Sequence, residues 1–143
     1  MKKAVLGILL IICMVFVFAC KSQPKSTEDA LKAAYDRYRS GLILEGASSY
    51  TVSPGDTLSK ISREAYNNGL YYPIIMMASS DVVIDPDLIE PDMKLTIPDL
   101  QKNLANDKAK SNIKKFLLEI AKIEDNRERA DTAKGLRDLS ASL

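Results

Sequence analysis

Tyr50-Thr51-Val52-Ser53-Pro54-Gly55-Asp56-Thr57-Leu58 decides the fold, because a strand, a tight turn and a helix start follow one another within it. Tyr50-Thr51-Val52 alternates and is rich in β-formers. Ser53-Pro54-Gly55-Asp56 offers proline for a φ of about −65° and glycine for a positive φ. From Thr57 to Tyr66 the spacing predicts a helix with Leu58, Ile61 and Ala65 on one stripe and Ser59, Lys60, Ser62 and Arg63 on the wet side. Asp56 or Thr57 is expected to cap it.

Working outward, Asn67-Asn68-Gly69 breaks the pattern, and Tyr72-Pro73 starts a second helix with proline near its first position, running through Ile74 to Ala78. Ser79-Ser80-Asp81 ends it. The acidic loop Asp85-Pro86-Asp87-Leu88-Ile89-Glu90-Pro91-Asp92 leads to a second strand, Lys94-Leu95-Thr96-Ile97, stopped by Pro98. The expected fold is α+β: a βααβ unit whose two strands pair antiparallel under two helices, burying Val52, Leu58, Ile61, Ile74, Ile75, Leu88, Leu95 and Ile97.

Tyr50-Thr51-Val52, Pro54-Gly55-Asp56-Thr57-Leu58, Pro86-Asp87-Leu88-Ile89 and Leu95-Thr96-Ile97-Pro98 together make residues 50–98 resemble the lysin motif (LysM). That resemblance implies binding of N-acetylglucosamine polymers such as peptidoglycan, in a shallow groove between the loop after the first strand and the loop before the second. Carried over by position, one wall is Gly55, Asp56, Thr57 and Leu58, and the other is Asp85, Pro86, Asp87, Leu88 and Ile89. Gly55 would admit the sugar close to the backbone, Asp56 and Thr57 would offer oxygens, and Leu58 and Ile89 would pack on the acetyl methyl. The same residues also have structural uses in turn, cap and core. Three positions depart from the family pattern: Ser79 stands for its usual asparagine, Ser59 for a bulky residue and Asp92 for a glycine. If the loop needs a positive φ at Asp92, a side chain there costs about 1–2 kcal/mol.

Around this unit, Met1-Lys2-Lys3 followed by an uncharged apolar run from Ala4 to Ala19 reads as a bacterial export signal over residues 1–19, since the run is shorter than the ~20 residues a spanning helix needs. Val17-Phe18-Ala19-Cys20 resembles a lipobox, which implies acylation of Cys20 and anchoring in the cell envelope. An uncleaved signal anchor is the alternative. Lys21 after the cysteine, where an aspartate would retain the protein at the inner membrane of some bacteria, leans toward an outer membrane facing the periplasm. Residues 20–26 form a polar tether. Residues 27–49 hold a helix begun by Ser26 or Thr27, with Ala30, Leu31, Ala34, Tyr35 and Tyr38 inward, ended by Gly41, and then a linker. The two tyrosines are expected to dock this helix on the central unit.

In residues 99–143, Leu104, Ile113, Phe116, Leu117, Ile120 and Ile123 recur at helical spacing, Glu124-Asp125-Asn126-Arg127 marks a break, and Ala130, Ala133, Leu136, Leu139 and Leu143 mark a second helix despite Gly135. This predicts a helical hairpin whose charges face solvent and whose stripe covers the central unit or the helix at 27–40. A surface for an envelope protein partner is the alternative.

The 20 basic and 19 acidic side chains leave no electrostatic footprint for nucleic acid. No histidine is present, and Cys13 and Cys20 fall in the leader and at the lipid site, so no nucleophile, metal site or cofactor is expected. The loop carboxylates lack the calcium-loop spacing and the deep cleft a glycosidase pair needs, and are expected to cap and solvate the loop. The expectation is a non-catalytic, lipid-anchored protein tethering membrane to wall. Its rivals are an interaction scaffold and an accessory subunit of a wall hydrolase.

Overall fold

The structure, a computed structural model, describes residues 26–143. The export signal, Cys20 and the tether up to residue 25 lie outside the described residues. Among these residues no helix is long and apolar enough to cross a membrane.

The chain runs α1 (Thr27–Tyr38), a 3₁₀ turn (Arg39–Gly41), β1 (Ser48–Thr51), α2 (Leu58–Tyr66), a 3₁₀ turn (Gly69–Tyr71), α3 (Tyr72–Ala78), β2 (Lys94–Ile97), α4 (Leu100–Ala105), α5 (Asp107–Asn126) and α6 (Ala130–Ser142). β1 and β2 pair antiparallel, with Tyr50 opposite Leu95. Pairing continues past the strand, since Val52 N–H donates to the Met93 carbonyl at 2.9 Å and Asp92 N–H to the Val52 carbonyl at 2.9 Å. β1 begins two residues before the predicted Tyr50, a boundary the alternation cannot fix because Ser48 and Ser49 are exposed.

Ser26 caps α1, its hydroxyl accepting from Asp29 N–H, and Thr57 caps α2 through Lys60 N–H at 3.2 Å. Asn67 ends α2 in the left-handed region at φ 56°, which asparagine tolerates better than most residues. Asp92 has φ 70°, so the loop does take the conformation for which glycine is the easy choice. Ser79 is buried, and its hydroxyl accepts from Thr96 N–H at 2.9 Å, tying the end of α3 to β2.

Seven of the eight expected core residues are buried; Leu88 is not, standing 67 % exposed. Its loop makes an Asx turn, Asp87 N–H donating to Asp85 Oδ1 at 2.9 Å, that leaves the next residue facing out. On α2 the stripe is Leu58, Ile61 and Ser62, while Ala65 is exposed. Ser62 lies one turn from Leu58, and it is tolerated inside because its hydroxyl donates to the Asn68 carbonyl at 2.7 Å.

The tyrosines of α1 stack on the C-terminal region, and Tyr35 also borders the segment after α3. Tyr35 stacks on Phe116 with ring centroids 5.6 Å apart, and Tyr38 meets the same ring edge-on at 6.3 Å. The hairpin is α5 against α6, as the spacing predicts, and α5 also covers α1 and α3. The run from Asp99 is cut at Asn106, which caps α5 by accepting Ala109 N–H at 3.0 Å. Asn103 in α4 is buried because it pairs with both backbone groups of Ile43, each at 2.8 Å, and so pins the linker before β1. The result is one continuous apolar cluster, from Leu31 through Val52 and Ile75 to Leu136.

Candidate functional site

The turn after β1 is built by its own carboxylate. Asp56 Oδ2 accepts from Ser53 N–H and from the Tyr50 hydroxyl, both at 2.8 Å, and these donors hold its carboxyl below the ordinary range, the Ser53 amide contributing most. Tyr50 is raised correspondingly, first by that hydrogen bond. Gly55 sits at φ 84° with open space around it, and its carbonyl accepts the Lys60 ammonium at 2.9 Å. Gly55 and Asp56 are thus occupied by the turn, and Thr57 uses its hydroxyl as a cap.

From this turn, Thr57, Leu58 and Ser59 face Pro86 and Asp87 across a crevice of about 200 Å³, with Leu70 and Tyr72 also lining it. Four of the nine positions carried over by resemblance, Thr57, Leu58, Pro86 and Asp87, therefore meet there. Gly55, Asp56, Asp85, Leu88 and Ile89 do not line it; Ile89 packs partly buried against the core.

A third side comes from the hairpin, which sequence reasoning missed: Glu124, Arg129 and Thr132. Arg129 forks onto Asp87, with Nη2 donating to Oδ2 at 2.7 Å and Nη1 to Oδ1 at 3.0 Å, and Nη1 also reaches Glu124 Oε2 at 3.3 Å. Arg127 donates to Asp87 at 2.9 Å and pairs with Asp85. The hydrogen bond from Arg129 is the largest cause holding the Asp87 carboxyl below the usual range, and Asp87 in turn raises Arg129. Glu124 is the buried member, and the Tyr72 hydroxyl donates to its Oε1 at 3.3 Å; burial first, then Glu124, pushes the Tyr72 hydroxyl up. Asp85 caps its loop as expected, through Asp87 N–H, but the loop acids and hairpin charges also pair with one another instead of only facing solvent. Asp85-Pro86-Asp87 and Arg127-Glu128-Arg129 form a two-by-two latch whose matching spacing is the one signal that could have shown it. The backbone after α5 sets the geometry, because Glu128 at φ 60° turns the chain between the two arginines.

A wider cleft of about 730 Å³ opens elsewhere, between α1 and the segment after α3, lined by Lys32, Tyr35, Arg39, Leu42, Leu44 and Ile84 among others. Among the described residues, no group of three or more Cys, Asp or Glu side chains is placed to hold a metal ion.

The family model for the LysM domain matches residues 50–98. An uncharacterized protein of Deinococcus radiodurans is 45% identical over 53 residues, which are 37% of this chain and 20% of that protein. The Potassium binding protein Kbp of Escherichia coli O6:H1 is 44% identical over 50 residues, 35% of this chain and 34% of that protein. The chain thus spans about a third or less of the curated relatives it matches. No solved structure matches it. LysM domains bind N-acetylglucosamine-containing glycans such as peptidoglycan. With the family match falling on the βααβ unit that carries the crevice, residues 50–98 of this chain are a LysM domain.

Proposed function

We infer that this protein binds peptidoglycan, or another N-acetylglucosamine glycan, without turning it over, and that acylation of Cys20 holds it in the bacterial envelope so that it ties membrane to wall. One observation carries the glycan part: within the LysM domain, Thr57 and Leu58 converge with Pro86 and Asp87 on an open crevice. Such a site needs an apolar surface for the acetyl methyl and a few polar groups for the amide, and no charge on the ligand. The non-catalytic part is supported by the latch. A glycosidase acid needs a raised pKa, whereas Asp87 is held low by Arg129 and Asp85 is paired with Arg127. Anchoring rests on the lipobox-like Val17-Phe18-Ala19-Cys20, and Lys21 favours the outer membrane.

The test is retention of residues 21–143 by insoluble sacculi, with release by soluble N-acetylglucosamine oligomers. Protein that stays in the supernatant at every concentration refutes glycan binding. Labelled palmitate should enter the wild type and not Cys20→Ala; equal labelling refutes the anchor. A second reading, an envelope interaction scaffold, is favoured by the wider cleft beside α1, where Leu44 and Ile84 stand 43% and 58% exposed. It predicts no retention by sacculi.

A further inference from the structure

A groove between two loops is open at both ends, so a polymer could run through it. Here the α5–α6 hairpin is fastened at two places in the lining of that crevice, Leu70 and Asp87. On one side α6 packs against Leu70 so closely that a Cβ on Gly135 would stand 3.0 Å from a Leu70 methyl. On the other, Arg129 forks onto Asp87 at 2.7 and 3.0 Å. Between these fastenings Glu124, Arg129 and Thr132 form the third side of the crevice.

Its size and chemistry narrow what can enter. About 200 Å³ falls below the ~300 Å³ at which pockets for larger ligands begin, so the space suits one sugar unit or part of one rather than a run of them. Arg129 has five N–H donors, of which the contacts to Asp87 and Glu124 use three, and its side chain remains 45 % exposed. Two donors are left for a neutral acceptor such as an acetamido carbonyl. The Thr132 hydroxyl has no hydrogen-bond partner among the described residues and is free to give or accept one. Three carboxylates, Asp85, Asp87 and Glu124, share the two guanidiniums of Arg127 and Arg129, so a sugar carrying its own carboxylate meets net repulsion where a neutral one does not.

We propose that the α5–α6 turn is part of the glycan site and stops the crevice at one end, so that it takes the neutral terminal N-acetylhexosamine of a chain rather than a unit in mid-strand, with Arg129 and Thr132 touching that unit. The proposal rests on the glycan reading above. A site that reads a chain end binds a fixed number of proteins per chain whatever the chain's length. A site that reads mid-strand units binds more proteins as the chain grows.

The experiment is titration calorimetry of residues 21–143 with soluble N-acetylglucosamine oligomers of increasing length, repeated with Thr132→Val and Arg129→Gln. Expected are a stoichiometry of one protein per chain at all lengths and a loss of about tenfold in affinity for Thr132→Val, the size of one neutral hydrogen bond. Thr132→Val is the decisive variant, because Arg129→Gln also loosens the latch; an unchanged urea midpoint verifies that it folds as the wild type does. Stoichiometry that rises with oligomer length, or Thr132→Val binding as wild type does, overturns the end-reading site while leaving glycan binding standing. Wild-type protein that binds no oligomer overturns glycan binding itself, and this proposal with it.

Discussion

Replacing Glu124 by glutamine should change sign with its surroundings. The Glu124 side chain is 2 % exposed, with Arg129 at 3.3 Å, Arg127 at 3.9 Å and the Tyr72 hydroxyl at 3.3 Å. In the native chain, Glu124→Gln keeps shape and an acceptor for Tyr72 but removes the charge that two guanidiniums face, a loss of about 1–2 kcal/mol. In Arg127→Ala/Arg129→Ala, the carboxylate stays buried beside Tyr72 alone. Stripping partners from a buried ion costs about 3–5 kcal/mol, while an imperfectly paired amide costs about 1–3 kcal/mol. Glutamine should therefore stabilise that background by about 1–2 kcal/mol. The two effects together give a coupling of about 3 kcal/mol, at the upper end for residues sharing one network. Urea midpoints of the four chains measure it, provided the slope m stays constant. If glutamine destabilises both backgrounds equally, the arginines do not hold Glu124 as an ion, and the account of how the hairpin is fastened is wrong.

Tyr35→Phe should leave stability unchanged or raise it by up to about 1 kcal/mol, because the Tyr35 hydroxyl is buried without a partner and burial pushes its ionisation up; a clear loss in thermal denaturation would point to an unrecognised partner. Asp92→Gly should stabilise by about 0.5–1 kcal/mol, the relief at φ 70° outweighing the greater freedom of glycine in the unfolded chain, and a lower urea midpoint would contradict this. The lowered Asp87 carboxyl contributes stability that is complete above its unfolded value of about 3.9 and disappears as pH falls through its folded value. The stability gap between wild type and Asp87→Asn should thus be constant above about pH 5 and close in more acid solution. A gap that instead widens toward low pH refutes the assignment.

Elements whose signal is local were legible. The alternation at Tyr50–Val52, the Pro54-Gly55 turn, Pro73 at the head of α3 and the stripe Ile113–Ile123 each encode a conformation within a few residues, and the structure carries all four. Residues whose role depends on a distant partner were not legible. Ser62 looks like a wet-side residue until the Asn68 carbonyl meets it, Leu88 looks like core until the Asx turn at Asp85 points it outward, and Tyr35 looks like a plug for the LysM unit until Phe116 takes it. At the site, the resemblance points to both loops, but Gly55 and Asp56 are spent on the turn. The hairpin wall is invisible because Arg127 and Arg129 lie some forty positions from the acids they hold. Charge at a helix break is usually solvated, and nothing in the local pattern tells a latch from a wet face.

All seven residues of α3, Tyr72 to Ala78, are buried, with β2 and α2 against the helix and α5 covering it as well. A helix at the rim of a free-standing bead needs a water-facing flank, and this one has none to offer. Position 98 is therefore where the family match ends rather than a joint in the folded object. Cutting there would strip α5 from α3 and bare part of an apolar helix to solvent, so a transplanted module would need a new cover on that face.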